Sequence, residues 1–428
     1  MKTVIPTIAL IVVGLIIFLS FKLEKKILVQ SLDYQTYLTQ NNSPTNDQKE
    51  IDFWSSKLSL DSNCTACKLK IASALSKRFK EKSNIKDLLK ADSILQTCLD
   101  QKLGITSVYH SLASISVTRH NFQDSWDYSQ KALEVGEKKD VTYFLLFDAA
   151  MELGHYKQAE SFLNRFKDKN SFNYLLRASK LEDKKGDLDN AIHLMELALK
   201  KAEGNDELYV WAISNLGDMY GHAGEIEQSY DAFLRALKIN PNHSHSKMGL
   251  AWISFSHDRN PKVAREIIKN IYTQKPDPQL KLMLAEIAEY EKNFELSELL
   301  EEDYYNEVSE SDFGFMYSKY LILIDAENDP KKAVKRSLEE INRRATPETY
   351  DLLAWSYFKN KQLVEALKIA ENHVVGKTSE PETLFHLGMI YKANGNISKS
   401  EAYLKEALES EYELGPIASH EIHSALKS

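Results

Sequence analysis

Apolar residues are distributed along this chain in two different ways. From Thr3 to Phe21 no charge interrupts the run, and Val4 to Phe21 would span about 27 Å as a helix at ~1.5 Å per residue, enough to cross a bilayer. A cleaved leader has a shorter apolar core followed by a small-x-small site. Here Phe18 stands two residues before Ser20, so residues 1–21 read as an uncleaved transmembrane signal anchor. Lys22, Lys25 and Lys26 outnumber Lys2 and favour a cytoplasmic body, whereas a two-residue tail before the anchor favours translocation of the downstream chain. The expectation drawn is an extracytoplasmic (periplasmic) body. Residues 22–55 read as a juxtamembrane helix and a flexible linker, because Thr39 to Glu50 (TQNNSPTNDQKE) has almost nothing to bury.

Beyond the linker the apolar residues recur with a fixed period. One small residue can be followed as Ala91, Ser125, Ala159, Ala191, Ser229, Ala264, Ser297, Ala333, Ala366 and Ser400, at a mean spacing of 34.3. A small side chain at such a period lets two helices of one unit cross closely, where a larger one would wedge them apart. Gly154, Gly186, Gly224 and Gly395 mark turns between paired helices, where positive φ is common. Each unit buries its apolar face only by stacking on its neighbour.

The clearest unit, Val210 to His243, carries Leu216-Gly217, Tyr220, Gly224, Ser229, Phe233, Ala236 and Pro241. A second carries Leu387-Gly388, Tyr391, Gly395, Ser400, Leu404 and Ala407; a third carries Leu353-Ala354, Tyr357, Ala366 and Ala370. These spacings resemble the tetratricopeptide repeat, a pair of antiparallel helices in 34 residues. The resemblance covers about residues 64 to 414. It implies an all-α fold: a right-handed superhelical solenoid of helix-turn-helix repeats, here preceded by one transmembrane helix. We expect about ten helical pairs over residues 56–415 and a solubilising capping helix over 416–428. Between Ala72 and Ala91 about seven residues are extra, and Ala285 and Leu321 stand where the family carries glycine.

Composition narrows the function. Only 15 glycines and 10 prolines leave too few turn residues for many short strands. A net charge of −8 argues against nucleic acid as a partner, since phosphate contacts need surplus Lys and Arg. Cys64 and Cys67, in Cys-Thr-Ala-Cys-Lys, read as a local disulfide or packed thiols. A haem or redox role is the lesser alternative, because Lys68 stands where haem attachment uses His and only Cys98 remains as a further ligand. His243 and His245 are two apart and diverge on a helix, so they read as ordinary exposed histidines. No nucleophile elbow, phosphate loop or zinc-protease pair occurs. The chain is read as non-enzymatic, with no catalytic residue, no metal, no cofactor and no small-molecule substrate.

In the family that the repeats resemble, first helices line a concave groove that holds peptides or partner helices. The resemblance places Trp211, Asp218, His222, Trp252, Phe255, Trp355, Phe358, Phe385 and Met389 near that groove as partner-binding residues. Ser214 and Asp218 occupy the places of the Lys/Asn clamp for acidic peptide tails, so that mode is not expected. From Glu286 to Asp312 eleven acidic residues face one basic, Lys292, a block suited to a basic partner; Lys68 to Lys90 is the reverse, eight basic against two acidic. The expected function is a membrane-anchored scaffold or adaptor for protein partners. The alternative is an accessory subunit in assembly of an envelope secretion or membrane-protein complex.

Overall fold

The computed structural model describes residues 27–39, 47–101 and 105–427; the anchor expected at 3–21 lies outside them. Among the described residues all regular structure is helical, and no helix is long and apolar enough to cross a membrane. Ten helical pairs follow one another, from Thr65–Lys82 with Ile85–Asp100 to Pro381–Ala393 with Ile397–Leu408. The first pair absorbs its extra residues by lengthening its first helix to 18 residues. An additional helix, Asp47–Leu60, lies against it, so the polar tether ends before residue 47.

Local chemistry explains the helix starts. Asn205, Asn293 and Asn396 each accept from a backbone N–H of the first turn, and Thr346 forms a capping box with Thr349. Pro261, Pro330, Pro347 and Pro381 open helices where no backbone donor is needed. All ten small residues of the period are buried, none more than 6% exposed. Glycine brings the helices closer still: a Cβ on Gly217 would lie 2.8 Å from Phe233 Cε1, and one on Gly249 would overlap the other side of that ring. Phe233 is thus held between the backbones of Asp206–His222 and Ser244–Trp252.

The solenoid winds far enough for its early pairs to meet its late ones. Arg119 pairs with Asp312 at 2.6 Å, the Phe315 N–H donates to the Arg119 carbonyl, and Arg344 lies 3.5 Å from Glu152. Lys184 pairs with Glu348. Residues 27–38 also fold back. The amides of Leu28 and Val29 donate to the two carboxylate oxygens of buried Asp258 at 3.0 and 2.9 Å, and Ser31–Leu38 is a helix. Burial alone would raise the pKa of Asp258, but His257 and these amides more than offset it and hold it low.

Candidate protein-docking groove

The first helices present their inner faces to the chain's own C-terminus. The last helix, Glu411–Lys427, is broken at Gly415, whose φ of 77° and ψ of 175° turn the chain before Pro416. Sequence suggests an end cap, and the helix does pack on the last pair through Ile422 and Leu404. Its first turn also reaches the central pairs. The Trp252 Nε1–H and the Ser256 hydroxyl both donate to the Tyr412 carbonyl, at 3.1 and 2.5 Å. The Tyr412 ring approaches bare backbone, since a Cβ on Gly221 would lie 2.8 Å from it. Glu411 pairs with Arg259 at 2.5 Å and Glu413 with His222 at 2.8 Å.

This contact decides what each groove residue does. His222, Asp218 and Trp252 surround Tyr412 and Glu413 in a depression of about 310 Å³, with Asp218 also bound to His245 at 2.7 Å. Trp211 meets Phe172 edge-on and stays 39% exposed. Phe255 is buried between Trp252 and Tyr290. Trp355 and Phe385 are buried too, where open anchors are expected, and Phe358 and Met389 are half-buried. All four cluster with Leu414, Ile422 and Leu426 of the last helix. Trp355 further stacks on His386 at 4.0 Å, and His386 bonds buried Asp351. Tyr412, Ser256, Arg259 and Glu286 belong to the site, although the repeat pattern does not single them out. Gly415-Pro416 is the one local signal of a chain reversal there.

Beside the groove, where early and late pairs meet, lies a polar cavity of about 670 Å³. Lys180 pairs with Glu152, Lys319 with Glu382 and Lys184 with Glu348 across it. Burial would raise Glu152, but Lys180 and Arg344 more than offset it. Burial raises Asp183 and Glu380, and the nearby cations, His222 and Lys184 for the first, Lys319 and Lys184 for the second, offset it only in part. Elsewhere, Cys64 and Cys67 are joined as a disulfide at the start of Thr65–Lys82, so in this state they offer no thiolate to a metal. His243 caps the helix Ser244–Trp252, a structural task.

A tetratricopeptide-repeat profile matches residues 212–243 and 381–413. No curated protein matches the chain in sequence. Among solved structures, an IFIT1 monomeric mutant with Gppp-AAAA is 14% identical over 85% of this chain and 76% of its own, with a TM-score of 0.46. YrrB, described as a TPR protein with an unusual peptide-binding site, is 17% identical over 46% of this chain and 96% of its own, TM-score 0.29. Pseudomonas aeruginosa PilF is 14% identical over 50% and 96%, TM-score 0.36. With two profile matches set in ten stacked helical pairs, this chain carries tetratricopeptide repeats and folds as an all-helical solenoid of that kind.

Proposed function

We propose that the chain is a non-enzymatic scaffold that gathers protein partners along its inner groove, held at a membrane by residues 3–21. The observation that carries this reading is the grip on Tyr412: an indole N–H and a hydroxyl converge on one main-chain carbonyl while the ring lies on bare backbone. Contacts to main chain and to one aromatic ring are how a groove holds a polypeptide segment. Exposed Trp211 extends the same surface beyond the covered part.

The anchor is supported by the uncharged run from Thr3 to Phe21. Only residues 22–26 separate it from Ile27, at most ~18 Å of extended chain. The latch of Leu28 and Val29 on Asp258 would therefore hold the solenoid close to the bilayer. The extracytoplasmic side is favoured by the Cys64–Cys67 disulfide, since such bonds persist in oxidising compartments.

A photo-crosslinking residue introduced in cells at Trp211 or Asp218 tests the scaffold reading. Discrete crosslinked species are expected from both, and none from Lys335, which is 81% exposed on the second helix of its pair. Equal labelling from all three positions, or none from the groove, would overturn it.

A further inference from the structure

The polar cavity between early and late pairs carries more negative charge than its own cations answer. The Lys and Arg residues that line it are all committed: Lys180 and Arg344 to Glu152, Lys184 to Glu348, Lys319 to Glu382. Asp183 on the early side and Glu380 on the late side line the same space. Among the described residues neither carboxylate has an ion pair or a hydrogen bond. A third carboxylate sharpens the shortfall. Asp351, on the helix Pro347–Lys359, lines the cavity while only 4% exposed. One of its oxygens bonds His386 at 2.9 Å; the other, Oδ1, is buried without a partner. Native structures leave few buried carboxylate oxygens in that condition, because each forfeits its hydration.

The volume of about 670 Å³ falls within the ~300–1,000 Å³ of small-molecule sites. A metal ion such as calcium draws its oxygens to within ~2.3–2.6 Å of one point. Among the described residues no three acidic, His or Cys side chains converge in that way. The free carboxylates come instead from early and late pairs, so a cation that answers them is extended. Met151, Leu188 and Leu352 add apolar surface to the same lining, suited to methylene spacers.

We propose that this cavity binds a linear aliphatic polyamine, whose ammonium groups meet Asp183 on the early side and Asp351 and Glu380 on the late side. An ammonium group has three donors and no acceptor, which complements oxygens that lack donors. Bound there, the polyamine replaces like-charge repulsion by attraction across the seam and draws early and late pairs together. A single Lys or Arg side chain of a polypeptide brings one charge, whereas the separated carboxylates call for several on one flexible chain.

Calorimetric titration of the full chain with spermidine, at constant ionic strength, tests this. One molecule per chain is expected, bound at least about tenfold more tightly than butylamine or magnesium ion. Asp183→Asn with Glu380→Gln should weaken spermidine binding by a similar factor without lowering the urea midpoint, since neither carboxylate is paired. Asp183→Lys, which supplies an ammonium group from the chain itself, should abolish binding. In the native chain, saturating spermidine should slow amide exchange in 180–186 and 378–383. Equal affinity for butylamine or magnesium, or native affinity in the double variant, would reduce the effect to general counter-ion attraction and overturn the inference. Unchanged exchange in both segments would place the ligand elsewhere and overturn it without recourse to any variant. Tighter binding of a Lys-rich peptide than of spermidine would do the same, by making the cavity a receptor for side chains.

Discussion

Where two neighbouring pairs meet around Phe233, the contact is apolar carbon against bare backbone; where early pairs meet late ones, around Glu152 and Arg344, it is charge against charge. The first seam is built on Gly217 and Gly249, and no side chain but hydrogen fits opposite the ring. The second is built on Lys180, Lys184, Arg344, Glu152 and Glu348, around a cavity open to water. Apolar contact at van der Waals distance is unforgiving of one methyl group, whereas half-exposed ion pairs rearrange at little cost. Stacking is therefore rigid, and closure of the superhelix is adjustable.

The largest effect should come from the rigid seam. Gly249→Val places branched carbon inside the Phe233 ring, and overpacking of this kind costs about 2–3 kcal/mol. A clear fall in the urea midpoint is expected, with partial recovery on adding Phe233→Leu. An unchanged midpoint would mean that the pairs do not pack as described.

The second effect tests the buried carboxyl of Glu286, which stands against Gly415 at the break in the last helix. Glu286 has a folded pKa of about 8, above its ordinary value of 4.5, because burial and then Glu289 disfavour its charge. The folded state then binds the proton more tightly than the unfolded chain. Its contribution to stability is complete below about pH 4.5 and is lost as pH rises through about 8. Melting temperature should decline over that window in the native chain and decline less in Glu286→Gln. Parallel curves would remove Glu286 from the account.

These seams also divide what could be read from the chain. The ten small residues from Ala91 to Ser400 are buried as their period implies, because neighbour-on-neighbour stacking repeats one local problem. Gly154, Gly186, Gly224 and Gly395 do adopt positive φ, between 74° and 84°. Yet Ser83, His120, Arg259, Lys292 and Lys361 take the same left-handed conformation two residues before their second helices. The turn imposes that geometry at a cost of ~1–2 kcal/mol per residue, so no glycine announces it. Trp355 and Phe385 have the phase of groove residues but are buried, because a helix distant in sequence covers them. The docking of Leu28 and Val29 on Asp258 is equally hidden, since it joins residues some 230 apart by backbone amides that any side chain could accompany.

The adjustable seam predicts a smaller effect. A double-mutant cycle on Lys184→Ala and Glu348→Ala should give a coupling of about 1 kcal/mol or less, shrinking as salt is added. Both side chains are partly exposed, at 23% and 35%, so screening reaches them. A coupling that ignored salt would make this seam as rigid as the first.

The smallest effect lies where the last helix enters the groove, and it distinguishes that contact from both seams. The hydrogen bond that His222 donates to the Glu413 carboxylate chiefly raises the pKa of His222, partly offset by burial. Its ordinary value is 6.5, so the stabilisation is complete below that pH and is lost as pH rises through the raised value. The imidazole is about half exposed, at 48%, which limits the gain to about half a kcal/mol. Glu286 acts in the same direction, since it too favours the docked helix when protonated. Exchange of the 411–427 amides, corrected for intrinsic rate, should therefore quicken from about pH 4.5 to about 8, with the His222 part setting in only above 6.5, while amides flanking Phe233 hold steady. His222→Gln should remove the part that sets in above pH 6.5 with the imidazole and leave the part due to Glu286. A pH response shared equally by the Phe233 seam would mean that the whole solenoid loosens together, and the helix would then be no separable occupant of the groove.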